Sequence, residues 1–140
     1  MAEEIKEIKN DISAEEKRAK LKETLDESRH TIEHGKLELM TPIRSGGKNI
    51  NVIEYDFSKL DSFDVMDALD SDAKNRDSVN LSNRQAFALF AAAVDKVHQG
   101  LDATDIKNRM GADDSFTAVR VAKAFFNVSA QRGALSISEA

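Results

Sequence analysis

His30-Thr-Ile-Glu-His34 comes closer to a catalytic signature than any other stretch of the chain. On a helix its two imidazoles would sit one turn apart and could ligate zinc, with Glu33 as general base. Its setting favours a plainer role. The motif closes a highly charged stretch, Gly35 follows at once, and no later segment supplies a third ligand or a walled cleft. Two surface histidines near a helix C-terminus, where positive charge is favourable, account for it. Ser45-Gly46-Gly47-Lys48 resembles a phosphate loop only superficially. It lacks the G-x-x-x-x-G-K-[ST] spacing and lies between two strand-like runs, so it reads as a hairpin turn. Asp61 with Asp64, Asp67 with Asp70 and Asp72, and Asp113 with Asp114 are spaced as paired carboxylates or metal ligands might be arranged. Asp70-Ser71-Asp72 begins like a calcium loop, but its sixth position is Asn75 instead of Gly and its twelfth is Leu81 instead of Glu. Helix caps and a solvated loop explain these acids. His98, beside Gln99-Gly100 at the end of an apolar run, reads as a contact to helix-terminal carbonyls. No catalytic residue, cofactor site or metal ligand is assigned, and no cofactor is expected.

Composition narrows the function classes. The 140 residues are enough for one domain with an appendage. Twenty basic against 25 acidic residues give a net charge of -5, which argues against a general nucleic-acid binder. Lys17, Arg18, Lys20 and Lys22 do cluster, but Glu15, Glu16 and Glu23 offset them. Aromatic residues are 6% and Trp is absent, a poor basis for stacking on single strands. The apolar run over 87–94 is far short of the ~20 residues that span a bilayer. Without cysteine there is no disulfide scaffold, thiol chemistry or Cys-ligated metal. The opening MAEEIKEIKN has no apolar signal core, so a cytoplasmic location without membrane attachment is expected.

Period and punctuation predict the elements. Ser13-Ala-Glu-Glu16 fits a capping box, and Leu21, Leu25 and Ile32 follow at roughly helical spacing, which predicts a charged helix over about 14–31. Ile5, Ile8 and Ile12 form a short stripe before it, room for another turn or two of helix. Asp26 and Arg29 are spaced to pair. Such a helix needs a surface to lie on: the domain, a second copy or another protein. Leu37 and Leu39, then Ile50 to Phe57, alternate as strands, predicting an antiparallel hairpin of about 36–44 with 48–56. Pro42 ends the first strand or places it on an edge. Four helices follow. Asp61 or Ser62 caps one, Ser82 with Gln85 caps an Ala-rich one, Asp102 caps a short one, and Asp113 or Asp114 caps the last. The expected fold is α+β and predominantly α: an N-terminal charged helix, one antiparallel hairpin, then about four helices. The expected divisions are an arm at 1–34, a hairpin-plus-helices domain at 35–130 and a flexible tail at 131–140.

A family pattern overlies these elements. Leu37-Glu-Leu39-Met-Thr-Pro42-Ile43, Gly47-Lys48-Asn-Ile50 and Ile53-Glu-Tyr55-Asp56-Phe57-Ser58-Lys59-Leu60, with Asp64-Val65 after them, are followed by an Ala-rich helix. Next come Asp105-Ile106 before an acidic cap, and a last helix with Phe125-Phe126. Over about 36–127 this resembles the phage tail assembly chaperones of the Mu-like, temperate contractile-tail type. The charged arm departs from that family's usual start. Phe63 stands where the family carries a small turn residue. The resemblance implies a non-enzymatic chaperone that coats the tape-measure protein before tail-tube polymerisation and is absent from the mature virion. The tail-tube protein is a further possible partner, and the arm a route to homo-oligomers. The competing readings are a structural phage tail component, another small acidic protein-interaction domain, a DNA-binding regulator and the zinc hydrolase weighed above. The expected partner surface combines Phe87, Phe90, Val94, Phe116, Phe125 and Phe126 with Leu21, Leu25 and Ile32 of the arm. Core packing is the competing role for the same stripes.

Overall fold

The hairpin is built by its turn. Gly46 and Gly47 both take positive φ, 59° and 79°, the two-residue geometry that matches the twist of paired strands. They join β1 (His34–Ser45) to β2 (Lys48–Asp56) as a two-stranded antiparallel sheet. The computed structural model describes residues 2–138, with side chains described over 14–135. Within them α1 (Ala2–Ile32) precedes the hairpin. After it come α2 (Ser62–Asp70), α3 (Asn83–Asp95), α4 (Ala103–Arg109) and α5 (Ala112–Ser138). Single 3₁₀ turns lie at Phe57–Lys59 and Ala73–Asn75. This is the predominantly α, α+β order read from the sequence.

Pro42 does not end β1. The strands pair Glu38 with Val52 and Ile43 with Ile50, so β1 takes five steps where β2 takes two. Pro42 sits in that bulged stretch, where no ladder donor is required of it. The freed amides of Met40 and Thr41 donate to the Asp114 carboxylate at 2.8 and 3.1 Å. Asp114 is only 2% exposed, so the first turn of α5 is pinned to the bulge. Gly111 permits this close approach: a Cβ there would lie 3.1 Å from the Thr41 side chain.

The core lies between one face of the hairpin and the helices. Ile43, Ile53 and Phe57 meet Leu89, Phe90 and Val94 of α3. The Phe57 and Phe125 rings stack 4.6 Å apart. Ala91 and Ala93 of α3 and Ala118 and Ala122 of α5 are fully buried, and their small side chains allow the two helices to pack closely. Gln85 is a polar member of this interior at 0% exposure. It closes the Ser82 capping box. Its amide also donates to the Leu69 and Asn75 carbonyls and accepts from the Asn75 side chain. The loop between α2 and α3 thus hangs on one buried amide.

Both ends of the chain differ from expectation. α1 runs unbroken through Ser13, so no helix starts there. No Gly or Pro lies within the helix to break it there, and Ala14, Glu15, Glu16 and Lys17 after the serine are strong helix formers. The side chains of Ile5, Ile8, Ile12 and Ser13 lie outside the described residues. α5 continues to Ser138, so 131–138 is helix where a tail was expected. The reason is tertiary. Arg132 Nε lies 2.6 Å from Asp26 Oδ1, and Arg18 donates to the Leu135 carbonyl at 3.3 Å, so the last turns of α5 lie along α1. The surface that α1 lies on is therefore this chain's own α5, with Leu25 buried against the body. Among the described residues, no helix is long and apolar enough to cross a membrane.

Candidate functional site

Several of the residues with catalytic spacing are engaged in helix caps. α1 ends at Ile32, so His30 and His34 sit on different elements instead of on consecutive turns of a helix. Their Nδ1 atoms lie 3.2 and 3.9 Å from Glu33 Oε1, and both rings are largely exposed. Among the described residues no group of three His, Cys, Asp or Glu side chains is placed to hold a metal ion. Asp61 and Asp64 form the reciprocal capping box of α2, and Asp102 and Asp105 form that of α4. Burial raises the Asp64 pKa, but the Asp61 N–H and the Lys96 ammonium 2.9 Å away outweigh it and hold the carboxyl below its ordinary range. Asp70 lies 3.6 Å from Arg76 at the surface. Asp114 binds the β1 bulge instead of capping α5 through its side chain. α3 ends at Asp95, before the expected Gln99-Gly100. His98 is exposed and makes no carbonyl contact among the described residues. Gln99 serves a different purpose. Its amide accepts from the Glu54 N–H at 2.8 Å and donates to the Glu54 carbonyl at 2.7 Å, covering the outer edge of β2.

The expected partner-binding residues divide. Phe90, Val94, Phe125 and Leu25 are buried: Phe90 and Val94 build the core, Phe125 joins them while flooring the groove described below, and Leu25 is buried outside that cluster. Their apolar stripes meet the hairpin and the neighbouring helices, which is the core role weighed for them. Phe87, Phe126 and Ile32 are half-buried against that core. Leu21 and Phe116 are exposed, Phe116 at 71%. The structure does not bring all nine into one patch.

A groove forms where α1, α2 and α5 meet. Its apolar part is a 350 Å³ cavity floored by Phe57, Leu89 and Phe125 and walled by Leu60, Val65 and Phe126. Arg29 and Ser129 line one end of it. The same two residues line an adjoining 320 Å³ cavity together with Lys22, Asp26 and Arg132. Asp26 is taken by Arg132 and not by Arg29, contrary to the i,i+3 expectation. Arg29 instead lies over the Phe125 ring, 5.7 Å from its centroid, a cation–π geometry that fixes the guanidinium at the junction of the two cavities. Arg29 Nε and Ser129 Oγ are buried and have no hydrogen-bond partner among the described residues. Lys22 and Arg29 make no ion pair among the described residues. The result is an apolar trough with an unneutralised cationic end on a chain of net charge -5. An amphipathic segment carrying an acid beside an apolar side chain matches that arrangement.

Sequence reasoning missed Leu60, Val65, Arg29 and Ser129 as members of a site. No local pattern marks them, because three separate helices and a loop deliver them. Lys22 carried a signal, as part of the basic cluster on the arm. Comparison with protein-family models, with curated proteins and with solved structures yields no match to this chain.

Proposed function

We propose that the chain is a phage tail assembly chaperone. It is a non-enzymatic protein of the host cytoplasm that keeps the tape-measure protein soluble until the tail tube polymerises, and it has no place in the mature virion. The observation that carries this reading is the open groove between α1, α2 and α5, apolar along its floor and cationic at one end. A long helical client exposes apolar stripes bordered by charge before it assembles. A trough of this kind accepts such a helix side-on. The identity of the client comes from the family resemblance over 36–127. The observed order of hairpin, short helix, Ala-rich helix, short capped helix and long Phe125-Phe126 helix is the order that resemblance implies. The non-enzymatic reading draws support from the Asp61, Asp64, Asp102 and Asp114 carboxylates, which are engaged in helix caps and a bulge clamp.

The test is co-expression with the tape-measure protein, followed by size exclusion with light scattering. Co-elution, with the tape-measure protein soluble only when this chain is present, is the expected result. The measured mass gives the copy number. A tape-measure protein that stays insoluble while this chain elutes alone would overturn the chaperone reading. Recovery of the chain from purified virions would replace it with that of a structural tail component.

A further inference from the structure

The groove has a complement on the same molecule. α2 turns Val65 toward the groove wall and Ala68 into the core, and its opposite face is exposed. That face carries Phe63 at 79% exposure and Met66 at 52%, large apolar side chains left largely open to solvent. Asp67 lies four residues after Phe63, and Asp70 four after Met66, both exposed. Each pair puts an apolar side chain and a carboxylate one helical turn apart on one face. The groove repeats that spacing in negative. Along α5, residues 125–130 line its apolar part and residues 129–135 its cationic part, so the two centres lie roughly four to five residues, about 7 Å, apart, close to the four-residue step from Phe63 to Asp67. The walls there are helical, with no free strand edge, so a helix and not an extended segment fits between them.

From this juxtaposition we infer that the groove of one copy receives α2 of a second copy. Phe63 enters beside Leu60, Val65 and Phe126, and Asp67 reaches Lys22 and Arg29. The donor face and the acceptor groove are different surfaces, so the contact is heterologous. Each docked copy presents a free α2 face at one end and a free groove at the other. Copies therefore add head to tail. The contact is small, so the association is weak and concentration-dependent, in the range of about 10 µM to 1 mM. It covers the groove until a client displaces it. The inference uses the groove of the proposed function but holds whether or not the client is the tape-measure protein.

Analytical ultracentrifugation of the full chain over that concentration range tests it. Wild type is expected to rise in mass with concentration. Two variants at exposed positions each remove one side: Phe63→Glu removes the knob, and Lys22→Glu with Ala130→Glu obstructs the groove. Each variant alone should weaken association at least about tenfold, with unchanged circular dichroism. Mixed in equal amounts, the intact groove of the first and the intact α2 of the second can form one contact and no more. The mixture should then stop at twice the chain mass. Wild type that stays at 15.5 kDa up to about 1 mM overturns the inference. So does association unaffected by the variants, or a mixture that stays monomeric. If the chain self-associates as expected but leaves the tape-measure protein insoluble in co-expression, the chaperone reading fails and this one stands.

Discussion

Asp114 should be worth far more to the fold than an ordinary surface carboxylate, and substitution measures how much. Its two oxygens accept the Met40 and Thr41 amides at 2.8 and 3.1 Å, in a setting only 2% exposed. Hydrogen bonds to a charged group contribute about 1.5–3 kcal/mol each, and a buried donor left without a partner costs about 1–3 kcal/mol. Asp114→Ala removes both bonds and strands both amides. Water entering the vacated space recovers part of the loss, because the Met40 and Thr41 side chains border solvent. The expected cost is about 2–4 kcal/mol. Asp114→Asn keeps one acceptor but turns an NH₂ toward the second amide, so it should fall between, at about 1–2 kcal/mol. Urea unfolding followed by circular dichroism reads both values. Amide exchange at Met40 and Thr41 should quicken in step. A loss below about 1 kcal/mol for the alanine variant, or an asparagine variant equal to wild type, would refute the view that this carboxylate holds the bulge.

Three further outcomes are expected. Gln85→Leu keeps the volume but leaves the Leu69 and Asn75 carbonyls and the Ser82 amide without the partner they have now, at a cost of about 3 kcal/mol in urea unfolding. Gln99→Ala uncovers the Glu54 N–H and carbonyl on the edge of β2. Exchange of the Glu54 amide should accelerate, and stability should fall by about 1–2 kcal/mol. The Asp64 carboxyl is held below its ordinary pKa of 3.8 in the folded chain, so its contribution is present at neutral pH and disappears as pH falls through the lowered value. The stability gap between wild type and Asp64→Asn should therefore be widest near neutrality and close in strong acid, and a gap independent of pH would count against the Asp61–Asp64–Lys96 cluster.

What could be read from the sequence was what a few neighbouring residues decide. The caps at Asp61 and Asp102 and the capping box of Ser82 lie within four-residue windows, and in the structure all three are full capping boxes. The Gly46-Gly47 turn and the alternation around Leu37 and Ile53 are equally local, and the pairing next to the turn follows from the turn, whereas the register shift between Glu38 and Ile43 sits where the distant Asp114 binds. Where a distant partner competes, the local rule loses. Asp26 has Arg29 at i+3, yet it pairs with Arg132, because Arg29 is already held over Phe125. The stretch 131–138 looks like a tail by composition and is helix because α1 runs beside it. Ser13 carries the side-chain pattern of a cap, but nothing before it breaks the helix.

The groove belongs to this second, non-local kind, which is why the apolar stripes proved a poor guide to it. A stripe marks what a helix must cover, and the strongest positions on a stripe are the ones its own core covers first. Phe90, Val94 and Phe125 were the most conspicuous residues of their helices and are buried for that reason. The side chains left to face a partner are the weaker positions beside them: Leu60, Val65 and Phe126 at the groove wall, and Phe63 and Met66 on the far side of α2. The cationic end follows the same logic. Of the acids on the described part of α1, Asp26 is the one that lines the cavity, and Arg132 holds it, so Lys22 and Arg29 are left for an acid from outside the chain. A helix that brings that acid together with an apolar side chain satisfies both parts of the groove at once, and α2 carries that pair on its exposed face.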